Sequence, residues 1–159
     1  MKKADVKTEK IIGMLLITGA LALFVPYTVL TIIFDYPAIL REETGVILSK
    51  FRAGGHALIG VWFAFALVGL PLLGAYVLIG QKLENKLYFV RWATMMGVIG
   101  LVVQMIGLLR WTFVVPVLAD NFANGNEMTK AASKVAFQVI HQYGGVVLGE
   151  QMGQFFNNI

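Results

Sequence analysis

The sequence predicts an all-α polytopic membrane protein, a bundle of four transmembrane helices. Two observations carry this expectation. Of 159 residues, 58% are apolar and only 14% charged, too little polar surface to cover a soluble core of this size. The apolar residues also gather into four runs, 11–34, 55–80, 92–119 and about 135–157. Each exceeds the roughly 20 residues that cross ~30 Å of hydrocarbon. Lipid admits only helices or closed barrels, and runs this long are helices. The whole chain reads as one membrane domain, with no repeat and no soluble unit.

The first run is uncharged and follows Lys2, Lys3, Lys7 and Lys10. Ala20-Leu21-Ala22 has the look of a signal cleavage site, but the apolar run continues to Phe34, so a retained helix is expected. In the link that follows, Asp35–Gly54, Leu40, Ile47 and Phe51 fall on one helical side, with Arg41, Glu42, Glu43 and Lys50 elsewhere. A short interfacial helix and an ordinary ordered loop fit this pattern equally, since Gly45 weakens a helix. The second run contains His56 as its one ionisable group. The third is interrupted by Arg110, and the fourth by His141 and Glu150. Between these two, Asn124-Gly125 signals a turn, and Asn126 or Thr129 is placed to cap the fourth helix, with Glu127 favourable near its N-terminus. Pro26, Pro71 and Pro116 are expected to bend their helices locally.

Orientation follows from the links. Lys2, Lys3, Lys7, Lys10, Lys82, Lys86 and Arg91 lie on one side, against Arg41, Lys50, Arg52, Lys130 and Lys134 on the other. The excess places both termini in the cytoplasm. The net charge of +4 sits beside the apolar runs, where it suits lipid headgroups and not nucleic acid. With no cysteine, disulfides, thiolate metal sites and thiol catalysis are excluded. Phosphate-loop, zinc-protease and nucleophile-elbow motifs are absent. Carboxylates in the spans are too few for a di-metal site, so no metal is expected.

The chemistry therefore rests on a few polar residues. An ionisable side chain at the bilayer centre costs at least about 2.5–3.5 kcal/mol, so Arg110 and Glu150 are expected to be paired or working. On neighbouring helices they differ in depth by about 10 Å at 1.5 Å per residue, within reach of an ion pair. Arg110 can equally contact helix carbonyls, Gln104 or Gln138, or an anionic ligand or lipid headgroup. Gly145, Gly149 and Gly153 repeat every fourth residue and form a helix-packing face, used within the chain or against another subunit. At 100° per residue, His141 and Glu150 fall on nearly opposite sides of their helix, which argues for a helix enclosed by protein. His56 and His141 lie at comparable depth, and two histidines on two helices are the minimum for axial haem ligation.

LLRWTFVVPVLA (108–119) and VAFQVIHQYGGVVLGEQMG (135–153) carry Arg110-Trp111, Val114–Ala119, His141-x-Tyr143 and Gly149-Glu150-x-x-Gly153. These motifs resemble the bacterial multi-pass membrane family known as domain of unknown function 4386. The resemblance covers the second half by motif and the first by hydropathy. It implies a bacterial inner-membrane location and groups Arg110, His141 and Glu150 in one motif set, with no activity attached. It also implies further membrane segments after the G-E-x-x-G helix, where this chain ends at GQFFNNI. A bundle built for more helices leaves the polar fourth helix for a partner to cover. The expected role is a non-enzymatic subunit or accessory protein that packs in a larger membrane complex or self-associates. A haem-, quinone- or lipid-binding protein of electron transfer is the alternative, and a small transporter or proton pathway the third.

Overall fold

The computed structural model describes residues 3–84 and 87–158; Lys2 and Lys86 of the charge count lie outside them. Among the described residues every regular element is helical. Helix α1 spans Lys3–Phe34, and a 3₁₀ turn covers Ala38–Arg41. Then come α2 (Thr44–Leu67), α3 (Gly69–Leu83), α4 (Val90–Phe113) and α5 (Val115–Asn124). The chain closes with α6 (Glu127–Ile140), a π-helix over His141–Met152, and α7 (Gly153–Asn157). These join end to end into four rods: α1, α2–α3, α4–α5, and α6–π–α7. Three stretches are long and apolar enough to cross a membrane: Val6–Phe34, Thr44–Leu83 and Val90–Asn124.

The breaks have local causes. Proline lacks an N–H and clashes with the carbonyl four residues back. Pro71 faces Leu67, where α2 ends; Pro116 faces Thr112, and α4 ends one residue later. Helix α1 continues through Pro26. The second rod begins at Thr44, not at residue 55, so much of the expected first link is helical. Glu43 caps it by accepting from the Gly45 N–H at 3.0 Å. The kink at Gly55 (φ 56°, ψ −153°) separates this leading segment from the rest. That backbone conformation is essentially open to glycine alone. Ile47, Leu48 and Phe51 on this segment turn into the core and are buried. The fourth rod starts at Glu127, capped as expected by Asn126, whose side chain accepts from the Thr129 N–H at 2.9 Å.

The core is concentrated at the end that carries the 35–43 link. Trp62 and Trp111 stack with ring centroids 4.7 Å apart. Phe34 meets both edge-on at 6.0 and 5.5 Å, and Phe51 and Phe137 close on Trp111. Each such pair adds about 0.5–1.5 kcal/mol beyond its buried area. Ion pairs ring the same end: Lys50–Asp35, Arg52–Asp120, Lys130–Glu127 and Lys134–Glu43. Lys82–Glu9 ties α3 to α1 at the other end. Along α1, Met14, Ile17, Leu21, Phe24 and Ile32 are exposed, an apolar surface suited to lipid.

Helix α4 takes the central place, touching α2, α3, the π-helix and α7. The polar fourth rod, expected to be enclosed by protein, packs chiefly on α4. Its glycines make this contact close. A Cβ added to Gly107 would lie 2.6 Å from the Gly144 carbonyl oxygen and 2.8 Å from Gly149 Cα. Only two bare backbones can cross at that separation.

Candidate functional site

Beneath the aromatic cluster lies a cavity of about 250 Å³. Trp62 and Phe65 of α2 form one wall, with Tyr36 of the link above. Helix α4 contributes Gln104, Leu108, Arg110 and Trp111. Gly145, Gly149, Glu150 and Gln154 close it from the fourth rod.

Arg110 dominates this site. Its side chain is nearly buried, with only 9% of the residue exposed. One terminal nitrogen donates to the Gly107 carbonyl. The other lies 3.5 Å from His141 Nδ1. A guanidinium only donates, so a hydrogen bond here needs an unprotonated Nδ1. The Arg110 Nε–H has no partner. Trp62 Nε1 and Trp111 Nε1, on two fully buried rings of the same cavity, have none either. An unsatisfied buried donor costs on the order of 1–3 kcal/mol, so three approach the stability of a whole small protein.

Arg110 and Glu150 share the cavity but form no ion pair. Their expected pairing is replaced by a carbonyl bond on one side and the Nδ1 contact on the other. The opposite-sides expectation for His141 and Glu150 fails for a geometric reason. A π-helix bonds i→i+5 and holds about 4.4 residues per turn, so nine residues complete about two turns. His141, Gly145, Glu150 and Gln154 thus recur on one face, the face toward α4.

The three glycines each make room for an α4 residue. A Cβ on Gly145 would lie 2.5 Å from an Arg110 terminal nitrogen. Gly149 faces Gly107, and Gly153 faces the Gln104 side chain. Gln138 is elsewhere, donating to Thr44 Oγ1 at 3.4 Å. The two histidines line no common cavity. His56 borders a second one, with Arg52, Ile59 and Pro116, while the His141 ring stacks on Phe137 at 5.4 Å. They are not arranged as an axial haem pair. Trp62 is a cavity-lining residue that the sequence reading left out: within an apolar run, a tryptophan reads as filling.

The sequence profile described as "Domain of unknown function (DUF4386)" matches residues 11–157. The chain belongs to the DUF4386 family. No curated protein and no solved structure matches it. DUF4386 membership brings no activity, so function is argued from the cavity.

Proposed function

We propose that this DUF4386 protein is a non-enzymatic, ligand-binding membrane protein with four spans. The Arg110 cavity holds a molecule whose head accepts hydrogen bonds. The observation that carries this is Arg110, a nearly buried cation that borders the cavity and has no ion-pair partner among the described residues. Burying a cation without a carboxylate partner is costly, and a bound oxyanion offsets that cost. Leu23, Leu40 and Leu108 along the remaining walls suit an acyl chain. In this reading the fourth rod spans the bilayer despite its polarity, and both termini face the cytoplasm of a bacterial cell. The ion-paired end then faces outward.

The test is native mass spectrometry of the protein extracted in mild detergent, with Arg110→Gln and Trp62→Phe beside it. The expected result is an adduct of lipid size on the wild-type chain. It is weakened in Trp62→Phe, which keeps the ring and loses the N–H, and lost in Arg110→Gln. A wild-type chain that carries no adduct and takes up none from mixed bilayer lipids overturns the reading.

One observation favours a second role. Gln142 and Gln151 are exposed on the π-helix, and polar side chains in a span favour contact with another helix. This supports an accessory subunit within a larger complex. A second chain in the same spectra, lost in a Gln142→Leu/Gln151→Leu double variant, is its signature.

A further inference from the structure

We infer that the ligand's head is zwitterionic, with a phosphate toward Arg110 and an ammonium toward Glu150. This rests on the ligand-binding reading above and adds a charge pattern to it. The cavity has two walls of opposite sign. On one, the Arg110 guanidinium borders the cavity with no carboxylate bonded to it. On the other, Glu150, an exposed residue, borders the same cavity without an ion-pair partner among the described residues. Arg110 stays on its own helix carbonyl and His141 although a carboxylate borders the same space. The fourth rod fixes this separation. The π-helix turns Glu150 onto the α4-facing side, while Gly145 seats the guanidinium one turn away.

A purely anionic head would meet Glu150 as a like charge, and like charges in low dielectric repel strongly. A dipolar head satisfies both walls. Tyr36 and Phe65, which border the cavity, are aromatic and add attraction for a cation.

The experiment is lipid retention by native mass spectrometry, after reconstitution in vesicles with equal parts phosphatidylethanolamine and phosphatidylglycerol of identical chains. The wild-type protein is expected to retain the ethanolamine lipid about tenfold over the glycerol lipid, the ratio that about 1.4 kcal/mol confers. In Glu150→Gln the total lipid retained should persist while the preference falls to near unity. Arg110→Gln should lose both lipids. Free phosphoethanolamine in excess is the remaining arm. Failure to displace the lipid assigns the ligand to the membrane, and displacement assigns the same head chemistry to a soluble molecule. Equal retention of the two lipids by the wild type, or an unchanged preference in Glu150→Gln, overturns the zwitterionic head and leaves acceptor binding standing. Retention of neither overturns both.

Discussion

At the scale of single residues, Arg110 trades stability for binding. Taking a charge out of water costs on the order of several kcal/mol, a cost that an apolar side chain of similar length does not carry. Arg110→Met should therefore melt higher than wild type in lipid-free detergent, while losing the gain that added lipid gives the wild-type chain. A differential scanning trace with and without lipid checks both halves. Glu43 behaves as a structural residue. The Lys134 ammonium, then the Gly45 N–H, hold its carboxyl below the ordinary glutamate value of 4.5. A lowered folded pKa stabilises above the unfolded value, and the effect disappears as pH falls through the folded one. Wild type should thus melt above Glu43→Gln at neutral pH, with the difference closing as pH falls below the ordinary glutamate value. The sequence shows Arg110 and Glu150 as anomalies because charge in an apolar run is conspicuous. It does not show Trp62, because an unsatisfied indole N–H exists only once the neighbours are placed.

At the scale of elements, the π-helix and the α4 crossing are one device. Gly107 lets the backbone of the π-helix come close, and the wider turn brings His141, Gly145 and Glu150 to the α4 side. Gly107→Ala puts a methyl against Gly144 O and Gly149 Cα. Such overpacking costs about 1–3 kcal/mol, and here it should also weaken lipid retention by moving Glu150. A melt together with a retention assay separates this from mere destabilisation: Gly55→Ala should lose a similar 1–3 kcal/mol through backbone strain and keep the lipid preference. The glycine spacing, the Asn126 cap and the proline positions are legible in the sequence because each acts within a few residues. The π-helix is not, since its wider turn depends on packing against α4, and a 3.6-residue period projected onto 141–152 gives the wrong face. The second rod starts early for a related reason. Thr44–Gly54 mixes charges with apolar residues like a loop, and only Ile47, Leu48 and Phe51 packing beneath Phe34 and Trp111 makes it helix.

At the scale of the whole molecule, one end is a packed aromatic unit and the other a looser apolar sheath. Helical class and membrane character follow from composition alone. The four-span topology needs a direct test, and the cysteine-free sequence suits it. Met128→Cys lies at the ion-paired end, and its position is 82% exposed. In intact cells it should react with a membrane-impermeant maleimide, whereas Asn158→Cys should react only after permeabilisation. Equal labelling of both in intact cells contradicts the topology. The central claim, that a ligand occupies the cavity beside Trp62 and Trp111, has its most direct measurement in the indole N–H resonances of ¹⁵N-tryptophan-labelled protein. Trp92 is 64% exposed and stands outside the cavity as an internal reference. On adding phosphatidylethanolamine to delipidated protein in a lipid-free detergent, the Trp62 and Trp111 resonances should move downfield and exchange more slowly, with Trp92 nearly still. Indole signals that all stay in place, or that all shift together, contradict the account.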